Sequence, residues 1–186
     1  MAICQGTVIV FLACVTCISA GNVQVTDCGG TVATMGPDWT VAPPPPIELM
    51  TKQFCVTGKF LFKTPATADQ MKQAKLIITA TYVGLFFNTT ICQNGDSILP
   101  GKDELCTVGF CDAAGADVCK DIVNVKEYDL KNVCFGPVKN LGWISKFINK
   151  GVSKFGLKAQ IGTLSSPGQP KDNWACASLP IQIDIE

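Results

Sequence analysis

Between Phe54 and Lys63 apolar and polar side chains alternate: Phe54, Val56, Phe60 and Phe62 share one face, and Thr57, Lys59 and Lys63 share the other. That period of two belongs to a β-strand with one buried face. Phe155, Leu157, Ala159 and Ile161 alternate in the same way with Lys154, Lys158 and Gln160, and Ile181, Ile183 and Ile185 alternate with Gln182, Asp184 and Glu186. Leu76 to Phe87 is apolar on both faces, with Leu76, Ile78 and Tyr82 in one phase, as in a central strand covered on one side and lining a cavity on the other. Shorter strands are predicted at Val23 to Thr26, Thr31 to Thr34, Asp38 to Val41 and Ile122 to Tyr128.

About seven or eight strands broken by Gly, Pro, Asn and Asp predict an all-β chain: a two-sheet antiparallel β-sandwich. Pro43 to Pro46 reads as a short extended linker. Gln93 to Asp121 has little periodicity but four cysteines, and is expected to be a loop region ordered by disulfides. Leu141 to Lys150 differs from the rest. There Trp143, Ile144, Phe147 and Ile148 cluster at helical spacing beside Lys146 and Lys150, which predicts a short amphipathic turn that either caps the core or touches a membrane.

The first twenty residues have the form of a secretory signal. An apolar run from Val8 to Ile18 ends at the small residues Ser19 and Ala20, and cleavage after Ala20 leaves one domain over 21–186. A helix over that run spans about 17 Å, short of the roughly 30 Å of bilayer hydrocarbon. Of the 11 cysteines, Cys4, Cys14 and Cys17 fall inside the signal. The other eight are Cys28, Cys55, Cys92, Cys106, Cys111, Cys119, Cys134 and Cys176, an even number suited to an oxidised framework. Eight cysteines allow 105 pairings. Asn88-Thr89-Thr90 is an N-glycosylation acceptor sequence, in keeping with the same route.

Charge narrows the functions. Lys plus Arg equals Asp plus Glu at 15 each, all the cations are lysine, and there is no histidine. Bidentate recognition of phosphate or guanine is arginine chemistry, so nucleic acid is not an expected partner. Histidine-dependent nucleophiles and zinc sites are excluded, and no metal or cofactor is expected. Nucleophile-elbow and dinucleotide motifs are absent, and the glycines of Gly95 to Asp103 are one residue too far apart for a phosphate loop. The acidic pairs Asp103 with Glu104 and Glu127 with Asp129 leave a glycosidase arrangement open, against a reading as solvated surface acids. With 47% hydrophobic residues and ten phenylalanines, the chain has enough apolar material to line a pocket as well as fill a core.

Cys106-Thr-Val-Gly-Phe-Cys111-Asp112 resembles, with one residue fewer, the Cys-Thr-x-x-x-Phe-Cys-Asp element of the ganglioside-activator branch of the ML lipid-recognition superfamily. Tyr82-Val-Gly-Leu-Phe-Phe leading to Cys92 is similar to that branch's Val-Ala-Gly-Leu-Trp run before a cysteine. Asp27-Cys28, the proline-rich segment, a Trp-bearing loop at Trp143 and Cys176 before a terminal strand follow in the same order. The resemblance implies a disulfide-braced β-cup whose apolar cavity takes acyl chains, and a protein that lifts a lipid or glycolipid from a membrane and presents it to a lysosomal hydrolase without doing chemistry itself. In such a cup, the alternation turns Phe54, Val56, Phe60, Phe62, Leu76, Ile78, Tyr82, Phe155, Leu157 and Ile161 inward to face the ligand. The clustering of Trp143, Ile144, Phe147 and Ile148 beside Lys146 and Lys150, with the similar Trp-bearing loop, makes these the residues expected to meet the membrane.

The same resemblance implies bridges Cys28–Cys176, Cys92–Cys106 and Cys111–Cys134. Cys134-Phe-Gly-Pro departs from the family's Cys-x-Cys-Pro element, so Cys55 and Cys119 are left to pair by elimination. A sterol or lipopolysaccharide binder is the alternative within the superfamily. A secreted glycosidase or esterase, and an adhesion module with a filled core, are the alternatives outside it.

Overall fold

The computed structural model describes residues 21–48, 51–98, 106–136 and 151–185. The signal segment and the Trp143 to Lys150 cluster, with Asp103 and Glu104, lie outside them. Two antiparallel sheets face each other. The first is built on β5 (Phe54–Phe62), paired on one edge with β10 (Glu127–Phe135) and on the other with β3 (Ala33–Met35) and β4 (Thr40–Ala42) in succession; β1 (Gly21–Asn22) continues it beyond β4.

The second sheet is built on the long hairpin of β11 (Gly151–Ser166) and β12 (Gln169–Ile185). β2 (Thr26–Asp27) flanks β12, and β6 (Lys75–Val83) flanks β11. The far edge of β6 takes β9 (Thr107–Gly109) at its start and β7 (Asn88–Gln93) at its end, with β8 (Asp96–Ser97) outermost. Alternation places the apolar phase of each long strand between the sheets.

Among the described residues three short helices cover one end. α1 (Ala68–Gln73) begins with a reciprocal cap in which Thr67 Oγ1 accepts from the Gln70 amide at 3.2 Å and Gln70 Oε1 accepts from the Thr67 amide at 2.8 Å. α2 (Phe110–Ala114) and α3 (Ala116–Asp121) are joined at Gly115, whose φ of 99° suits a residue without Cβ. Met71, Phe110, Cys119 and Ile122 pack with Val32, Phe60, Leu130 and Ile161 in one buried cluster. A second cluster, with Val41, Ile47, Ile91, Phe155, Ile181 and Ile183, fills the end away from the helices. There Ile47 bridges Ile183, its amide donating to the Gln182 carbonyl and its carbonyl accepting from Asp184, both at 2.9 Å.

Several expectations are corrected. The strand predicted through Phe87 stops at Val83: the chain turns over Gly84 to Phe87, where the Gly84 amide donates to the Phe87 carbonyl at 3.1 Å, and returns as β7. The loop expected after Gln93 contains β8, β9, α2 and α3 among its described residues, because Phe110, Val118 and Cys119 bury apolar surface under the sheets. The strand predicted from Ile122 begins instead at Glu127, since Ile122 ends α3 and Asn124 takes a left-handed φ of 62°. The Pro43 to Pro46 run, read as extended, contains cis peptide bonds before Pro43 and Pro46.

Among the described residues four disulfides brace the fold. Cys28–Cys176 and Cys92–Cys106 pair as the resemblance implied. The other two pairs are exchanged: Cys111–Cys134 and Cys55–Cys119 are replaced by Cys55–Cys134 and Cys111–Cys119. Register explains the exchange. Cys55 and Cys134 stand directly opposite on β5 and β10 with Cα atoms 3.9 Å apart, while Cys111 and Cys119 lie on the adjoining helices α2 and α3 at 5.6 Å.

Candidate functional site: an apolar cavity between the sheets

The inward phases of the two sheets do not meet everywhere. Between them lies a cavity of about 430 Å³, within the range of small-molecule sites. From the first sheet Phe54, Val56 and Phe60 line it, and from the second Leu76, Ile78, Phe155, Leu157 and Ile161. The space between them opens at alanines. Ala80 of β6, Ala159 of β11 and Ala177 of β12 also border the cavity, and Ala159 and Ala177 are direct register partners.

Among the described residues no charged side chain lines the cavity, and the one polar lining residue is Ser97. The chemistry on offer is therefore hydrophobic burial, worth about 25 cal/mol per Å² of apolar surface removed from water. Trp39 forms part of one wall, held by its indole N–H donating to the Gly36 carbonyl at 3.0 Å and by an edge contact with Phe60 at 5.6 Å. Its ring lies over Gly58, where an added Cβ would collide with the indole.

Eight of the ten residues expected to face the ligand thus border this one space. Phe62 packs instead toward the helices, beside Met71 and Phe110, around a separate gap of about 20 Å³. Tyr82 packs against the second cluster, its ring edge-on to Phe155 at 5.8 Å, outside the cavity lining. The opposite phase of β6 is turned outward: Ile77 is fully buried, under the Asn94-Gly95 turn and Thr107.

Walls that the alternation did not reveal are Trp39, Ile47, Ile91, Phe110 and Leu130. Trp39 precedes the three-residue β4, Ile47 sits in an isolated bridge, Ile91 lies on the six-residue β7 and Phe110 on a helix, where a period of two is absent or too brief to register. Leu130 lies on the nine-residue β10, whose alternation is broken. The register shift between Leu130 and Val133 on β10, with Asn132 at a φ of 49°, keeps both of those residues inward.

Other candidate chemistry lies elsewhere. Glu127 and Asp129 flank Lys59 at 3.7 and 3.4 Å in exposed ion pairs, and Lys59 belongs to the outward phase of β5. Gly95 occupies a hairpin turn at a φ of 87°. Among the described residues no group of three metal-binding side chains occurs, and no helix is long and apolar enough to cross a membrane. Four disulfides are the bonding pattern of an oxidising compartment. Compared with protein-family models and with curated proteins, the chain matches none.

Proposed function

We propose that this chain is a secreted, non-enzymatic lipid-binding and transfer protein that takes the hydrocarbon part of a lipid or glycolipid into the cavity between its sheets. The observation that carries the reading is that cavity: about 430 Å³ whose described walls are apolar side chains and Ser97, with no charged group among them. A lipid chain of about eighteen carbons entering water forfeits about 0.8 kcal/mol per methylene, roughly 14 kcal/mol in all. An apolar wall offsets that penalty without a catalytic group, which suits a carrier that hands its ligand to a hydrolase or another acceptor, in an extracellular or lysosomal setting.

Pick-up takes place at a membrane surface, where Trp143 and its apolar neighbours favour the interface and Lys146 and Lys150 favour anionic headgroups. The motif resemblance to the ganglioside-activator branch supports the same reading. The test is native mass spectrometry of protein purified from its own source, followed by lipid extraction. A stoichiometric adduct with the mass of an acyl-chain lipid is the expected result. A sterol or lipopolysaccharide mass redirects the reading to another ligand class. Absence of any adduct, together with failure to take up an added fatty acid, overturns it.

A further inference from the structure

The hairpin tip between β6 and β7 leaves large apolar side chains in water. Leu85 and Phe86 are 97% and 95% exposed and Phe87 62%, a clustering unlike the scattered single apolar residues of ordinary surfaces. The residue that follows is Asn88, exposed, the first of β7 and the acceptor of the Asn88-Thr89-Thr90 sequence. It stands directly opposite Val83. Tyr82 packs inward against the second cluster, so Val83 and Asn88 belong to the outward phase of the sheet.

We propose that Asn88 carries an N-linked glycan and that the first sugar of this glycan packs on Phe86, so that the tip is covered by the protein's own carbohydrate. Phe86 precedes Asn88 by two residues, at most about 7 Å along the chain. The Gly84 to Phe87 hydrogen bond at 3.1 Å closes the loop over Leu85 and Phe86 and leads directly into Asn88, so the ring sits on the tight turn next to the acceptor. A pyranose presents axial C–H groups on one face, and an aromatic ring offers them its electron-rich face, a contact that also removes apolar ring surface from water.

Attachment forms a bond from Asn88 Nδ2 to C1 of the first sugar, supplied by an oligosaccharide on a polyprenyl pyrophosphate. The C1–O bond to the pyrophosphate breaks, the pyrophosphate leaves with that electron pair, and the amide nitrogen gives up one proton. Transfer occurs on the entering chain, so the folded protein need only leave Asn88 in open space, as it does.

This inference rests on the secretory route of the proposed function and is independent of the ligand. The full chain is secreted from a eukaryotic host as wild type, Asn88→Gln, Phe86→Ala and the double variant, with glycopeptide mapping, thermal denaturation and flotation with phosphatidylcholine vesicles. Expected are a glycopeptide at Asn88, a fall in Tm of about 2–4 °C when the glycan is lost with Phe86 present, and almost no fall in the Phe86→Ala background. An unmodified Asn88 in secreted protein overturns the proposal, and so does an equal fall in both backgrounds. Flotation of the glycosylated protein that is lost in Phe86→Ala also overturns it, because the tip would then be covered by lipid. Native mass spectrometry of Asn88→Gln reports lipid occupancy separately, so failure of the carrier reading is seen apart from failure of this one.

Discussion

Emptying the cavity should measurably loosen the protein. At roughly 24 cal/mol per Å³ of unfilled apolar space, about 430 Å³ held dry and empty carries a penalty of about 10 kcal/mol as an upper bound. That equals the whole stability of a typical domain, about 5–15 kcal/mol, so the lipid-free protein must admit water, contract or sit close to unfolding. A ligand present at a hundred times its Kd adds about 2.7 kcal/mol, equivalent to a rise in Tm of about 5–11 °C for a domain of this size. Scanning calorimetry before and after delipidation on a hydrophobic resin, then during back-titration with a fatty acid, measures the shift.

Ala159→Phe supplies the control. It places a ring in the cavity from the central strand β11, where there is room, so the usual overpacking penalty of about 1–3 kcal/mol should not appear. The lipid-free variant should melt at or above lipid-free wild type and show no ligand-dependent shift, and Ala80→Phe on β6 should behave alike. A Tm indifferent to delipidation, or an Ala159→Phe protein that takes up fatty acid as well as wild type, would refute the reasoning.

Gly58→Ala should lower stability by about 1–3 kcal/mol in urea denaturation, because the new Cβ displaces the Trp39 indole, and tryptophan fluorescence should report a changed Trp39 environment. Replacing Cys92 and Cys106 together with Ala opens a loop whose ends are 14 apart in sequence and should reduce stability by about 3 kcal/mol, read as a lower urea midpoint. Tyr128 has its pKa raised above the usual value by burial and by the nearby Asp121 carboxylate. Its contribution is therefore fully present below the unfolded tyrosine pKa near 10 and is lost as pH rises through the folded pKa, so Tyr128→Phe should flatten the alkaline limb of a Tm–pH profile. Trp143→Ser with Phe147→Ser should slow lipid extraction from anionic vesicles and leave Tm nearly unchanged; a large loss of Tm with unaltered extraction would place these residues in the core.

β5 and β11 were legible because each carries a run of alternating side chains long enough for a period of two to stand out, as does the end of β12 from Ile181; β6 was legible as a long run apolar on both faces. Where the chain is punctuated the same signal failed. Gly84 turned one apparent strand into a hairpin, since Leu85, Phe86 and Phe87 look like core residues but face water. The bridges show a second limit. Cys28–Cys176 and Cys92–Cys106 could be carried over from a motif, whereas Cys55–Cys134 depends on the register of two strands far apart in sequence, which neither strand specifies alone.

Legibility also fails at the feature that matters most for function, because alternation reports which face a residue takes and says nothing of how sizes match across strands. The inward row of β11 runs Phe155, Leu157, Ala159 and Ile161; its partners on β12 run Ile181, Leu179, Ala177 and Ala175, and those on β6 run Tyr82, Ala80, Ile78 and Leu76. Large residues coincide at the Phe155 end, where Tyr82 and Ile181 close over it, and the helices fill the other end around Ile161. In between, Ala159 meets Ala177 and Ala80 lies beside Leu157, so alanines gather at the middle of the sheet, around a space that Val56, Phe60 and the Trp39 ring also border. A well-packed sandwich would leave no such space over its small residues. Here the small residues fall side by side on adjacent strands, and the unfilled space between two otherwise complete cores is the cavity into which Ala159→Phe is aimed.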